Sequence, residues 1–138
     1  MRPSRPTTSR HAAKSTPKAG KAAHAPVLRF RMRVTDGDVI AVGPGKISLL
    51  EAIDRTGSII AAAKSLEMSY RRAWLLLDEL NRSLREPAVA SAKGGRQGGG
   101  STLTHVGREL IALYRRIEDT AARANRRDIA RLMAMLVR

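Results

Sequence analysis

Apolar residues recur along Ser58–Leu84 (SIIAAAKSLEMSYRRAWLLLDELNRSL) at the period of two helices parted by a short break. In the first half, Ile59, Ala62, Ala63 and Leu66 share one helical face. Gly57 is suited to ending the helix before it, and Ser58 to capping this one with its hydroxyl. Glu67 and Met68 interrupt the pattern, with Met68 as an apolar plug, and Ser69 is a second N-cap candidate. From Ala73 the stripe resumes through Leu76, Leu77, Leu80 and Leu84, at the i, i+3, i+4, i+7 spacing of one buried face. A short helix, a three-residue turn and a longer helix make a helix-turn-helix.

The flanking patterns predict its supports. From Val27 to Val34, Leu28, Phe30, Met32 and Val34 alternate with Arg29, Arg31 and Arg33, the period of a half-buried strand. Thr35-Asp36-Gly37-Asp38 reads as a turn and Val39–Val42 as the return strand. The arginines of that first strand either touch a polyanion or keep a sheet edge soluble. Pro44 suits the first turn of a helix whose inner face is Ile47, Leu49, Leu50 and Ile53. Glu51 and Arg55 sit four apart on its outside, spaced for a weak ion pair. Pro87 stops the later helix. Ala88–Ala92 and Ser101–Leu103 then read as two short strands around the tip Lys93-Gly94-Gly95-Arg96-Gln97-Gly98-Gly99-Gly100. A hairpin with a glycine-rich basic tip after such a helix is a wing; a linker and a nucleotide-phosphate loop are the alternatives. The tip lacks the Lys-Ser/Thr of a P-loop. Thr104 can cap a final helix with Val106, Leu110, Leu113, Tyr114, Ile117, Ala121 and Ala124 on one side. A further apolar set, Ile129, Leu132, Met133 and Leu136, follows Asn125. The fold class expected is therefore mainly α with small β-hairpins: a winged helix-turn-helix with an N-terminal β-hairpin and a long C-terminal dimerisation helix.

Charge turns this outline toward a partner. The 138 residues carry a formal net charge of +14. Residues 1–26 hold six basic side chains and no acid, and residues 27–104 and 105–138 each contribute +4. Such an excess favours polyanions. Residues 1–26 are also poor in large apolar side chains and are expected to be a disordered basic arm; an organelle transit peptide ranks second. Residues 27–104 are expected to form the DNA-binding domain and 105–138 the dimerisation helix or helices. No apolar run approaches the ~18 residues of a membrane span. The chain has no cysteine, which excludes disulfides and thiolate metal sites.

In a helix-turn-helix the first turn of the second helix reads base edges. Here that turn holds Ser69, Tyr70, Arg71 and Arg72, with Trp74, the single tryptophan, one turn on. An arginine fork can grip guanine O6 and N7. The alternatives are a solvated arginine pair and a tryptophan packed at the seam between helices. Ser58 at the start of the first helix, and Lys93, Arg96 and Gln97 in the wing, complete the candidate contacts. The three histidines, His11, His24 and His105, are scattered, and Asp78 and Glu79 are adjacent and point to different sides of a helix. No grouping suggests catalysis, so no enzyme and no cofactor are expected.

Several of these residues carry a family likeness: Gly57-Ser58-Ile59 with Ala62-Ala63-Lys64, then Met68-Ser69-Tyr70, Ala73-Trp74, Glu79-Leu80-Asn81, the Gly94–Gly100 wing, and Leu103-Thr104 with Gly107. Over about Leu28 to Arg123 the chain resembles the N-terminal DNA-binding domain of ModE-type molybdate-responsive regulators, which are related to the LysR-type winged helix-turn-helix proteins. The resemblance implies a dimeric transcriptional regulator; the lack of cysteine makes a reducing cytoplasm the simpler compartment, and a nucleoid-associated place there is expected. Its second helix would enter the major groove, its wing would touch the flanking groove and its last helix would pair two copies. Full-length members carry C-terminal oxyanion-binding domains. This sequence ends at Arg138, so the molybdate-sensing domain is expected to be absent. A winged-helix adaptor for protein or RNA, without sequence-specific DNA readout, is the alternative function.

Overall fold

The computed structural model describes residues 24–91 and 100–137. The expected basic arm up to residue 23 and the wing tip over 92–99 lie outside the described residues. Among the described residues nine elements follow in order: β1 (Val34–Asp36), β2 (Val39–Val42), α1 (Pro44–Thr56), α2 (Ile59–Ser65), α3 (Tyr70–Ser83), β3 (Val89–Ser91), β4 (Ser101–Leu103), α4 (His105–Ala124) and α5 (Arg126–Ala134). The two sheets are antiparallel pairs, β1 with β2 and β3 with β4. This is the predicted mainly helical class with two small hairpins.

The core is built on α1. Pro44 occupies its first turn, and Gly57 ends it at φ +72°, donating its N–H to the Ile53 carbonyl. A side chain at Gly57 would be strained there. Ile47, Leu49, Leu50, Ala52 and Ile53 are fully buried. Each of the larger four contributes about 1.5–3 kcal/mol through burial. Ala62 and Ala63 of α2 and Ala73, Leu77 and Leu80 of α3 close over them. Small residues on α2 bring it close to α1, and the leucines of α3 fill the remaining volume.

The N-terminal strand differs from expectation. Only Val34–Asp36 pairs, with Asp36 opposite Val39, Thr35 opposite Ile40, and Val34 opposite Val42 after a register shift. The turn is Gly37-Asp38, so Thr35 and Asp36 belong to the strand. Residues 27–33 form no ladder because β2 runs out: after Val42 the chain turns at Gly43 into α1, and no edge is left to pair with. The alternation serves another purpose. Phe30 and Met32 are half-buried between exposed Arg29, Arg31 and Arg33, and the Met32 carbonyl accepts from the Tyr114 hydroxyl at 2.9 Å. Leu28 and Val34, expected on the same inner face, are exposed. The segment is a strap over the domain. Burial and the nearby Glu118 carboxylate raise the pKa of Tyr114 above that of a free phenol, so it stays a donor through the neutral range.

On the outside of α1, Glu51 pairs with Arg115 of α4 at 2.5 Å, and not with Arg55 as the spacing suggested. Arg115 also holds Glu118 at 2.7 Å. Two carboxylates on one guanidinium outcompete an exposed i, i+4 partner. The far C-terminus breaks at Asn125, which separates α4 from α5.

Gly107 in the first turn of α4 permits a close backbone approach. A Cβ there would lie 2.3 Å from the Ala88 carbonyl oxygen. That same oxygen accepts from the Thr104 N–H at 2.9 Å and so cannot move freely. Gly107→Ala is expected to destabilise the domain by about 1–3 kcal/mol, as overpacking does, or more. Urea denaturation followed by circular dichroism measures it, and an unchanged midpoint would show that α4 is free to shift.

Candidate nucleic-acid interface

The orientation of α3 is set by short-range chemistry at both ends of the helix-turn-helix. The Ser58 hydroxyl accepts from the Ala61 N–H at 3.2 Å and starts α2. At the other end Glu67 takes φ +55°, and two reversed bonds close the turn: Glu67 N–H to Lys64 O at 3.1 Å and Met68 N–H to Ala63 O at 3.0 Å. This is the Schellman arrangement, usually completed by glycine, here held by a glutamate. Met68 then packs against the core, as expected of the plug. The Ser69 hydroxyl accepts from the Arg72 N–H at 3.1 Å and starts α3. Each cap is worth about 1 kcal/mol.

With Ala73, Leu77 and Leu80 committed inward, the head of α3 must face out. Ser69, Tyr70, Arg71, Arg72 and Trp74 are all exposed. Trp74 is 49 % exposed and Tyr70 52 %, so the tryptophan does not fill the seam between helices. Ser69, Arg71 and Arg72 line a shallow groove with Leu75, Leu76 and Glu79. The sequence pattern does not mark Leu75 as a surface residue. Its place in the run Leu75-Leu76-Leu77 hides which of the three turns outward, yet it is half exposed beside the two arginines. Among the described residues, neither Arg71 nor Arg72 makes an ion pair. Their charge is available to an external anion.

Beneath the middle of α3 lies a contact that the periodicity does not disclose. Lys46 of α1 is only 3 % exposed. Its ammonium donates to the Ile40 carbonyl and to the Glu79 carboxylate, 2.5 Å away. One buried cation therefore joins the β1–β2 hairpin, α1 and the outer flank of α3. A lysine next to Gly45 at a helix start looks like surface in sequence; only its long stem lets it reach this pocket. Asn81 makes the matching link at the far end of α3, its Oδ1 accepting from the Ala88 N–H at 2.8 Å. That bond directs the chain into β3.

The wing's root is fixed while its tip is not described. Val89 pairs with Leu103, Ala90 with Thr102 and Ser91 with Ser101. The Ser101 N–H donates to the Gly57 carbonyl at 3.1 Å, which ties the wing to the chain entering α2 at Ser58. Lys93, Arg96 and Gln97 lie outside the described residues. The Ser58 side chain is half-buried and occupied by its cap. Among the described residues no group of three or more His, Cys, Asp or Glu is placed to hold a metal ion, and no helix is long and apolar enough to cross a membrane.

Comparison with known proteins bears on the fold. No family model matches the chain. It is 48 % identical over 92 residues to the molybdenum transport protein ModE of Azotobacter vinelandii, covering 65 % of this chain and 34 % of that protein. It is 45 % identical over 82 residues to the molybdenum-pterin-binding protein MopB of Rhodobacter capsulatus, covering 59 % of this chain and 30 % of that protein. With the DNA-binding transcriptional dual regulator ModE of Escherichia coli K12 it shares 44 % identity over 71 residues, 51 % of this chain and 27 % of that protein. The chain thus spans about a third of the length of the curated relatives it matches. Among solved structures, the CbnR_DBD–DNA complex superimposes with a TM-score of 0.50 at 24 % identity, covering 64 % of this chain and 95 % of that one. The fold is that of a winged helix-turn-helix.

The Lys46–Glu79 pair yields an asymmetric prediction. Lys46→Met leaves Glu79 half exposed and hydrated, whereas Glu79→Leu leaves a buried ammonium with a single carbonyl partner. Glu79→Leu is expected to cost more stability than Lys46→Met, by roughly 1–3 kcal/mol. Denaturant midpoints of the two variants decide it, and equal costs would mean that water reaches Lys46.

Proposed function

We propose that this chain, similar to ModE proteins and folded as a winged helix-turn-helix, is a DNA-binding transcriptional regulator that reads operators with the head of α3. One observation carries the reading: Tyr70, Arg71, Arg72 and Trp74 project from a capped helix whose opposite side is buried, and the two arginines are free of internal partners among the described residues. The helix N-terminus adds partial positive charge at the same place. In this reading Arg71 and Arg72 meet base edges and nearby phosphates. Tyr70 and Trp74 lie against the backbone or a thymine methyl, and Ser69 and Ser58 approach phosphates at the two helix starts. Lys93, Arg96 and Gln97 of the wing anchor on the flanking backbone or minor groove. The proposed division is an arm over 1–26, a DNA-binding domain over 27–104 and a dimerising region over 105–138. Residence with the nucleoid in the cytoplasm follows from that role. DNA binding by these residues is proposed to need no oxyanion, so added molybdate is expected to leave the affinity unchanged.

The partner in DNA binding is proposed to be a second copy. Leu113 and Ile117 of α4 and Leu132 of α5, with Leu136 just after it, remain exposed, and α5 buries none of its residues. So much uncovered apolar surface on adjoining helices asks for a cover. A two-fold pair would present two α3 heads to half-sites one helical turn apart or a multiple of it.

Two measurements test these proposals. Arg71→Ala should cost about 1–3 kcal/mol of operator binding and relax preference at one base pair, while Lys93→Ala should weaken all duplexes alike. Equal affinity of the parent chain for every duplex in a promoter library would defeat the regulator reading, and an affinity insensitive to salt would favour a protein or RNA adaptor. In sedimentation equilibrium the chain should weigh twice its 15.0 kDa. Ile117→Glu combined with Leu132→Glu should return it to a monomer, and a parent chain that is already monomeric would contradict the dimer.

A further inference from the structure

The strap before β1 carries arginines that the helix-turn-helix does not account for. Arg31 and Arg33 line a second groove with Arg72, Lys46, Leu76 and Glu79, so the groove runs from the strap to the outer flank of α3. Its one carboxylate, Glu79, is committed to Lys46. Arg31, Arg33 and Arg72 make no ion pair among the described residues. The groove is therefore lined by three uncompensated guanidinium groups on one side of the reading helix. The first groove, at Ser69 and Arg71, shares Arg72 with it, so the cationic surface is continuous.

The strap is held rather than draped. Phe30 and Met32 are half-buried, and the Met32 carbonyl takes the Tyr114 hydroxyl. The stem of Arg33 passes over Gly43, its Cγ 3.5 Å from where a Cβ would stand on that glycine. Fixing the backbone on both sides of Arg31 lowers the ordering cost of any contact its side chain makes. Solubility of a sheet edge, the bland account of these arginines, loses its basis, because residues 27–33 belong to no sheet.

We propose that Arg31 and Arg33 form a phosphate clamp that extends the DNA footprint beyond the α3 head, gripping the backbone next to the bases read by Arg71 and Arg72. The inference rests on the DNA-binding reading above. It adds a sequence-independent contact set from a segment outside the helix-turn-helix and the wing. Arg29 is the internal control: it borders the groove beside Tyr114 and Asp119 of α4, which Arg31 borders as well, but does not line the groove that Arg31 and Arg33 share with Arg72.

The test uses the full chain and two fluorescent duplexes, one carrying a site recovered by footprinting and one of random sequence and equal length. Anisotropy titrations run from 50 to 200 mM salt. Arg31→Gln with Arg33→Gln should lower the slope of log affinity against log salt by about 1.8, two phosphates' worth. Both duplexes should weaken by the same factor, at least tenfold near 100 mM salt. Arg29→Gln should leave the slope as in the parent. A parent chain that binds no duplex sinks the function and the clamp together. DNA binding that survives with an unchanged slope in the double variant overturns the clamp alone, as does an Arg29→Gln variant that loses as much slope as one clamp arginine. All three side chains are exposed, so circular dichroism should report an intact fold throughout.

Discussion

The complete burial of one side of α1 constrains everything else in the molecule. Ile47, Leu49, Leu50, Ala52 and Ile53 leave no free face on that helix except the outer one that carries Glu51 and Arg55. α2 can cover it only because Ala62 and Ala63 are small, and α3 only by turning Ala73, Leu77 and Leu80 inward. Once those three positions are fixed, helical geometry dictates that Arg71 and its neighbours face water. The exposure of the α3 head, the proposed reading surface, is thus a by-product of core packing: any repacking that rotates α3 by a third of a turn would hide it. Lys46 and Asn81 guard against that rotation, one from below the middle of α3 and one at its exit.

Electrostatics sorts the charges into two classes. Several acids on the helices are engaged: Glu79 with Lys46, Glu51 and Glu118 with Arg115, Asp78 with Arg82, Asp119 with Arg123. Those pairs hold helices together or decorate their surfaces, and the exposed ones stabilise little. The cations around the α3 head and the strap have no such partners among the described residues. Net charge alone gives a preference for polyanions; the adjoining grooves that Arg31, Arg33, Arg71 and Arg72 line beside α3 give it a candidate place on the molecule.

Much of this was legible in the chain, because the decisive signals are local. A serine before α2 and another before α3, a glycine after α1, a threonine before α4 and a 3.6-residue stripe can be read without knowing the fold, and all four caps form. What escaped depends on distant partners. Alternation at residues 27–34 is the mark of a strand, but a strand needs a neighbour, and β2 is too short to supply one beyond Val34. Glu51 was spaced for Arg55 and found Arg115, sixty-four positions away. Lys46 gave no sign of burial, since charge predicts exposure unless a partner is known. Even so, Glu79, Asn81 and Gly107, all among the residues that carry the family likeness, hold specific contacts with Lys46 and Ala88.

The central claim is that the outward head of α3 is where DNA meets this protein, and the single tryptophan makes it directly observable. Trp74 sits half exposed one turn from Tyr70. Titrating duplex DNA while following its fluorescence and its quenching by acrylamide reports on that surface alone. If the account is right, emission changes and quencher protection should rise together with the bound fraction measured independently by gel shift. Full binding by gel shift with tryptophan emission and quenching left at their free values would place the DNA elsewhere and contradict it.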